Sequence, residues 1–224
     1  MSSVNISAEK LKIIYYPVSC PDLPLQPQKD FRTEFQISAK AKVLAVVGRI
    51  RPVKGQRILL QSLSQLLSEF PDLVLLMPYR DTSENEPEMQ AVRNDISKLG
   101  LEEHVRLIPE REDIRALMEF ADAGVVSSVD SEVICRVAVE FFSVGTPVVA
   151  FPTGCLPEII RHAENGLLTK DQSQQALTDE LRKILTDQEL CRKLGQGARR
   201  DAEIRFNPQK MLAETLQVFE RALN

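Results

Sequence analysis

From residue 43 onward, short apolar runs alternate with longer amphipathic segments, and this alternation constrains the fold more than any other feature. Runs that are apolar throughout are typical of parallel strands buried on both faces. The segments between them carry apolar residues at helical spacing. About six such repeats predict an α/β fold with a Rossmann-like parallel sheet and helices on both faces. The predicted strands lie at 43–47, 73–77, 105–108, 124–127, 147–150 and 166–168.

The two ends of the chain differ from this alternating core. An apolar run at 13–18 is followed by prolines, which predicts an edge strand and then an extended connection. Residues 172–224 predict helices throughout and are locally basic. Two interpretations of the basic residues remain open, a solvated helix face or a patch that contacts a membrane surface. The basic residues are Arg182, Lys183, Arg192, Lys193, Arg199 and Arg200.

Composition excludes several classes of protein. The 224 residues are 43% hydrophobic and 27% charged with a net charge of -4, which excludes a disordered chain and argues against a nucleic-acid binder. The sequence contains no run of about 18 apolar residues, so it predicts no membrane span. We also expect no secretory signal. The cysteines and histidines lack metal-binding spacing, so we expect reduced thiols, no metal and a cytoplasmic location. They are Cys20, Cys135, Cys155, Cys191, His104 and His162.

The turn after the first predicted strand places positive charge at the start of a helix. Gly48 allows a sharp turn after the strand, and Gly55 lies where the next helix begins. Arg49 and Lys54 therefore lie beside free backbone N–H groups and the positive end of the helix dipole, which favour an anion. The spacing matches no standard nucleotide-binding glycine motif. Two interpretations remain, a diphosphate site or a polar loop with scattered charges.

The turn after the predicted strand at 124–127 leads into a helix that carries two carboxylates. Glu132, Arg136 and Glu140 follow one another at helical spacing, opposite an apolar stripe that begins at Ile134. One interpretation is a charge ladder on a solvated helix face. The other places the carboxylates over the cleft at the strand ends, where they accept hydrogen bonds from sugar or ribose hydroxyls.

The turn after the predicted strand at 147–150 contains Gly154 and, in the first turn of the next helix, Glu158. Gly154 allows close approach of a ligand or simply shapes the turn. Glu158 is favourable at a helix start in either case. Neither histidine has a nucleophile partner at suitable spacing, so a hydrolase triad is not expected.

Together these turns resemble the C-terminal, donor-binding domain of retaining glycosyltransferases of family 4, the group 1 glycosyltransferases. Glu132 and Glu140 reproduce the E-x7-E signature of that family, and GRIRPVKG at 48–55 matches its G-R-…-K-G loop. The resemblance covers about residues 11–223. It implies the C-terminal half of the two-domain GT-B architecture, with a nucleotide-sugar as donor substrate.

The resemblance also implies roles for individual residues. Arg49 and Lys54 would hold the donor diphosphate and stabilise the leaving nucleotide, in place of a metal. Glu140 would bind the ribose hydroxyls and Glu132 the hydroxyls of the donor sugar. The implied catalytic residues are Arg49, Lys54 and Glu132. The implied donor-binding set adds Gly48 and Glu140 and the helix-start backbone N–H groups near Arg136 and Val137, which would reach the phosphates.

The same resemblance implies the domain organisation and the reaction. Residues 1–42 correspond to the interdomain or edge segment, 43–171 to the Rossmann-like donor-binding core, and 172–224 to the C-terminal helices of that domain. We expect transfer of a hexose-type sugar to a saccharide or glycolipid acceptor in polysaccharide biosynthesis, in the cytoplasm or peripherally at the inner membrane surface. The partner would be the N-terminal acceptor domain, and this chain alone is expected to be inactive.

Three departures from the family pattern leave other functions open. Small residues usually follow the first glutamate, whereas VIC stands at 133–135. A glycine-rich turn is common where PYR stands at 78–80, and a glycine pair is common where TGC stands at 153–155. The alternatives are a non-catalytic sugar-nucleotide-binding module and another GT-B enzyme such as a sugar-nucleotide epimerase. The E-x7-E pair argues against the epimerase.

Overall fold

The computed structural model describes residues 7, 10–25, 30–79, 87–130 and 132–223. Within them a six-stranded sheet is formed by β1 (Val43–Ala45), β2 (Val74–Pro78), β3 (Val105–Ile108), β4 (Ala123–Val126), β5 (Val148–Ala150) and β6 (Gly166–Leu168). All neighbouring strands are parallel, in the order β3-β2-β1-β4-β5-β6. Every residue of β1, β2, β4 and β5 is buried, as expected for strands covered on both faces.

Helices connect the strands and cover both faces of the sheet. They are α1 (Phe31–Glu34), α2 (Gln56–Leu66), α3 (Pro87–Lys98), α4 (Ile114–Phe120), α5 (Arg136–Ser143), α6 (Leu156–Ile159), α7 (Gln174–Thr186), α8 (Gln188–Ile204) and α9 (Pro208–Leu223). The sheet separates two hydrophobic cores, one shared with α2, α3 and α7 and the other with α4, α5 and α8. The predicted Rossmann-like fold is confirmed.

Alternate residues of each strand belong to different cores. Val43 and Ala45 face the core of α5 and α8, whereas Leu44 faces the core of α2 and α7. Since successive side chains of a strand point to opposite faces, a strand between two helical layers must be apolar at every position. This requirement explains why the apolar runs of the sequence predicted the strands.

The predicted edge strand at 13–18 is wrong. This segment forms neither a helix nor a strand in the described part of the chain. It packs instead on the junction between α8 and α9, where the Val18 N–H donates to the Phe206 carbonyl at 2.7 Å and the ring of Tyr15 meets the ring of Phe206 edge to face. Its apolar side chains are therefore used for packing on helices, which an apolar run alone does not distinguish from pairing in a sheet.

The predicted C-terminal helices are present as α7, α8 and α9. Helix α7 packs against α2, and α8 packs against α5. Helix α9 differs because none of its described residues is buried. Its exposed apolar side chains recur at helical spacing along one face; they are Leu212, Leu216, Phe219 and Leu223.

Candidate functional site

A cavity lies at the carboxyl ends of the strands, where the chain changes direction across the sheet. Strands β1 and β4 are neighbours, yet the connection from β1 leads outward to β2 and the connection from β4 leads outward to β5. Diverging connections of this kind leave a crevice in which open α/β sheets bind ligands. The cavity has a volume of about 840 Å³, within the range of small-molecule sites.

All the residues selected from the sequence for the donor site line this cavity. They come from two segments, one after β1 and one before and within α5, that only the fold brings together. They are Gly48, Arg49, Lys54, Glu132, Arg136, Val137 and Glu140.

Gly55 fixes the turn that carries the basic residues. After a 3-10 turn over Pro52–Lys54, Gly55 adopts φ 64° and begins α2. A Cβ atom there would lie 2.0 Å from the carbonyl oxygen of Ser127, so only glycine fits. The Ser127 hydroxyl in turn donates to the Lys54 carbonyl at 2.9 Å. The turn is thereby fastened to the end of β4, and Lys54 is held at the cavity.

Lys54 and Glu132 form an ion pair at the floor of the cavity. The distance from Lys54 Nζ to Glu132 Oε2 is 2.6 Å, and the side chains are 29% and 6% exposed. Because the carboxylate is almost fully buried, its charge depends on this cation for compensation.

The prediction that Glu132 lies on a helix face is wrong. Helix α5 begins at Arg136, so Glu132 belongs to the preceding loop, and Ile134 is 63% exposed rather than part of the buried stripe. The remaining step of the proposed ladder is present, since Arg136 and Glu140 pair at 3.4 Å one helical turn apart. The chain from 132 to 135 is held by the neighbouring turn instead of by helical hydrogen bonds, which accounts for the later helix start.

The turn at 153–155 holds Glu132 in place. Gly154 adopts φ 55°, and a Cβ atom there would lie 2.2 Å from the Glu132 carbonyl oxygen. The backbone N–H of Cys155 donates to the same carbonyl at 2.8 Å. Gly154 therefore serves the close approach of two backbone segments, and Glu158 lies outside the basic cavity.

Gln56 supports the loop of Arg49 and was not selected from the sequence. Its side chain is 2% exposed, and its Nε2 donates to the Arg49 carbonyl at 2.9 Å. The Arg49 side chain itself is exposed at the cavity.

The backbone N–H of Arg136, which was expected to reach the phosphates, donates to the Ile134 carbonyl at 3.0 Å. Of the two predicted amides, that of Arg136 is thus already engaged within the chain.

The cavity extends toward β2 and β3, where sequence reasoning selected nothing. Arg111 follows β3, and its hydrogen bonds to Asp113 and Glu34 raise the pKa of its guanidinium. Its guanidinium also lies over the rings of Phe31 and Phe35. These contacts fix a permanent cation at the cavity wall. Among the lining residues that were missed are Arg51, Tyr79, Glu110, Arg111 and Ile114.

Charge in the cavity favours an anionic ligand. Five basic and three acidic side chains line it. Four of the basic residues lie around the turn after β1 and along the wall, whereas Glu132, Glu140 and the fifth basic residue, Arg136, stand on the side of α5. This arrangement can hold a polyanion at one end and accept hydrogen bonds from hydroxyl groups at the other.

A second cavity of about 560 Å³ adjoins the first and is mainly apolar. It lies between the segment 13–17, the residues around the start of α5, and Phe206. Ile134 and Arg136 line both cavities, and the Arg136 guanidinium lies 4.7 Å from the centre of the Tyr16 ring. These two residues therefore lie at the boundary between the two cavities.

The parallel sheet and the cavity at the carboxyl ends of its strands define a Rossmann-like ligand-binding domain. A family profile described as "Glycosyl transferases group 1" matches residues 27–201. The chain therefore belongs to the group 1 glycosyltransferases, and the resemblance seen in its sequence is confirmed.

Several known proteins are similar to this chain. Spore coat protein SA of Bacillus subtilis is 29% identical over 199 residues, which are 87% of this chain and 52% of that protein. A glycosyltransferase structure from Rickettsia africae superposes with a TM-score of 0.89 at 22% identity, covering 98% of this chain and 59% of that one. The structure of Anabaena Alr3699/HepE in complex with UDP and glucose has a TM-score of 0.75 at 29% identity, covering 83% and 50%.

The chain spans about half the length of the curated relatives that it matches. In the part of the chain that the structure describes, no helix is both long and apolar enough to cross a membrane.

Proposed function

We propose that this chain is the donor-binding, C-terminal half of a retaining glycosyltransferase that transfers a hexose-type sugar from a nucleoside diphosphate to a saccharide or glycolipid acceptor. The observation that carries the proposal is the convergence of the G-R-…-K-G loop and the E-x7-E pair on one cavity. The Anabaena structure with UDP and glucose, 29% identical to this chain, supports a nucleotide-sugar as ligand.

The basic turn after β1 is suited to the diphosphate. Arg49 is exposed at the cavity, and Lys54 is fixed by its ion pair and by the anchored turn. When the bond between sugar and phosphate breaks, negative charge grows on the leaving diphosphate. Cations already in place stabilise that charge without reorganisation, and removing one such group typically costs about 10²–10³ in rate. We propose that Arg49 and Lys54 act in place of a metal.

The carboxylate side is suited to the hydroxyl groups of the donor. Glu140 lies on α5 with its side chain 28% exposed, so it can still accept hydrogen bonds from the ribose. Glu132 is nearly buried, yet it lines the cavity and can accept a hydroxyl of the donor sugar. Lys54 contacts Glu132 directly, so the same cation would link the phosphate and the sugar ends of the donor.

The exposed face of α9 is suited to contact with the N-terminal half of a GT-B enzyme. Its apolar side chains are 52–86% exposed at residues 212, 216, 219 and 223, which is unusual for a helix of a monomeric domain. We propose that the N-terminal acceptor domain covers this face. An acceptor bound to that domain would complete the active site. This chain alone would therefore show no transfer.

The basic C-terminal helices favour a solvated surface over a membrane patch. Four of the six basic residues named above pair with carboxylates, at 2.5–2.9 Å. Their charge is therefore partly neutralised within the chain. A cytoplasmic location, with any membrane contact made elsewhere, is our proposal for the complete enzyme in polysaccharide biosynthesis.

Calorimetric titration of this chain with UDP, GDP and ADP tests the donor site. We expect one nucleotide to bind, and the Arg49→Ala variant to lose at least tenfold in affinity, since one charge-assisted hydrogen bond is worth about 1.5–3 kcal/mol. Lys193→Ala, on the exposed side of α8, is the matched control that removes a cation far from the cavity. Equal affinity in the Arg49 variant and in the control would refute the site.

Turnover by the complete enzyme separates a transferase from a non-catalytic binding module. The apolar residues 133 and 134, which are 80% and 63% exposed beside Glu132, are the observation that favours the module. Binding of a nucleotide-sugar without transfer by the complete enzyme would establish it. Analysis of the sugar product would identify an epimerase instead.

A further inference from the structure

Two thiols lie side by side directly behind Glu132. Cys135 precedes α5 and is 1% exposed, whereas Cys155 precedes α6 and is half-buried. The backbone N–H of Cys135 donates to the Sγ atom of Cys155 at 3.3 Å. Two of the departures from the family pattern, at 133–135 and 153–155, therefore meet at one point of the fold and place a dithiol there.

The separation of the two cysteines is suited to a disulfide. Because an N–Cα bond is about 1.46 Å long, the Sγ atom of Cys155 lies within about 4.8 Å of the Cα atom of Cys135. The sulfur of Cys155 thus already reaches the backbone of Cys135, and a rotation of the Cys135 side chain about its Cα–Cβ bond can bring the two sulfur atoms together.

Both cysteines contact Glu132. The Glu132 carboxylate lies close enough to the Cys135 thiol to raise the pKa of that thiol, and the backbone N–H of Cys155 donates to the Glu132 carbonyl. Gly154 packs its backbone on the same residue. Any change in the bonding between the two cysteines therefore acts on the residue assigned to the donor sugar.

Cys155 gives solvent access to the pair. Both thiols line the second, apolar cavity, and Cys155 is the more exposed of the two. Burial and the nearby Glu132 carboxylate raise the pKa of both thiols, with Glu158 adding to the effect at Cys155. Because the thiolate is the reactive form, the pair reacts slowly with an oxidant at neutral pH and faster as the pH rises.

We propose that Cys135 and Cys155 form a reversible disulfide, a modification site that changes how Glu132 is held. With hydrogen peroxide as oxidant, the Cys155 thiolate takes one oxygen to give a sulfenic acid and hydroxide, which the released proton converts to water. The Cys135 sulfur then bonds to the Cys155 sulfur as the S–O bond breaks and a second water leaves. In total two thiols lose two protons and two electrons, and a dithiol reductant restores them.

The disulfide affects the sugar end of the donor site more than the phosphate end. A disulfide ties Cys155, whose N–H donates to the Glu132 carbonyl, to the residue that precedes α5, so it changes how the loop that carries Glu132 is held. This consequence rests on the proposed function. We expect oxidation to change the affinity for UDP-glucose about two- to tenfold, the range of one hydrogen bond, and to change the affinity for UDP less.

Peptide mapping tests the disulfide without any ligand. The chain with Cys20→Ser and Cys191→Ser is treated with hydrogen peroxide and digested without reduction. We expect a linked peptide containing residues 135 and 155 that dithiothreitol separates, and no link after a further Cys155→Ser change. Cys155 oxidised alone, or linked only between two chains, would overturn the proposal. The unsubstituted chain, mapped in the same way, decides the result if the double variant does not fold.

Titration of the reduced and oxidised forms with UDP-glucose and UDP tests the effect on the site. A change confined mainly to UDP-glucose supports the role of Glu132 as the residue affected. Equal changes for both ligands, or no change, would overturn that role. If neither ligand binds in either form, the proposed function and the effect on the site both fail, whereas the peptide map still decides the disulfide.

Discussion

The ion pair of Lys54 and Glu132 gives the most direct test of how the site is built. Replacing Lys54 by Met keeps the apolar stem but leaves the carboxylate of Glu132, 6% exposed, without its cation. Breaking a fully buried pair in this way costs about 3–5 kcal/mol. Since Lys54 is 29% exposed, water also solvates its ammonium group and weakens the ion pair. We therefore expect Lys54→Met to lower the free energy of unfolding by about 1–3 kcal/mol.

A double-mutant cycle separates the pair from other effects of the substitution. Glu132→Gln removes the charge but keeps an oxygen for Lys54, so we expect it to cost less than Lys54→Met. In the double variant no unpaired charge is left, and its loss should be about 1–2 kcal/mol smaller than the sum of the two single losses. The free energies of unfolding are measured by urea titration monitored by circular dichroism.

The exposed pair of Arg192 and Glu189 is the matched control for this cycle. Its side chains are 57% and 72% exposed, so Arg192→Met with Glu189→Gln should show a coupling below about 0.5 kcal/mol. If the Lys54 and Glu132 variants are additive within about 0.5 kcal/mol, the two residues do not compensate each other's charge in the folded protein. The argument from burial would then be refuted.

Two further predictions concern backbone fit and thiol chemistry. Gly55→Ala, with φ 64° and a Cβ atom 2.0 Å from the Ser127 carbonyl, should lose more than about 2 kcal/mol in a urea titration. The control Gly100→Ala, with φ 65° and open space at its Cβ, should lose only about 1 kcal/mol, and equal losses would contradict the clash. Burial, with a contribution from Asp122, raises the pKa of Cys191 to about 11, so about one thiol in a thousand is ionised at pH 8. Alkylation of Cys191 by iodoacetamide should become about tenfold faster with each pH unit until the pH reaches this pKa. Equal rates at pH 8 in folded and urea-unfolded protein would disprove the raised pKa.

The sheet was predictable because a parallel strand between two helical layers has no polar positions. The residues proposed for the donor site, which line one cavity, could be selected from the sequence because the spacing of Glu132 and Glu140 and the loop at 48–55 are specific when they occur together. Tyr79 and Arg111 could not be selected, since only the strand order β3-β2-β1 brings the ends of β2 and β3 to the same cavity as the end of β1. The helical spacing before residue 136 was misleading.

Glu132 lies outside α5 because it contacts residues that are distant in the sequence. Its carbonyl is bound by the turn at 153–155, and its carboxylate by Lys54, 78 residues away. Neither interaction leaves a periodic pattern near residue 132. The apolar run at 13–18 shows the same limit, since its partner is the junction of α8 and α9 and not a strand.

The contacts between the turn after β1 and the end of β4 join the two halves of the sheet. Besides the ion pair, the Val129 N–H donates to the Val53 carbonyl at 2.9 Å, and Gly55 packs on Ser127. A ligand in the cavity touches both halves, so it binds only while they stay together. Such a ligand adds RT ln(1 + [L]/Kd) to the stability of the domain, about 2.7 kcal/mol at one hundred times Kd. A thermal melt could therefore rank candidate donors by base and sugar before any acceptor is known.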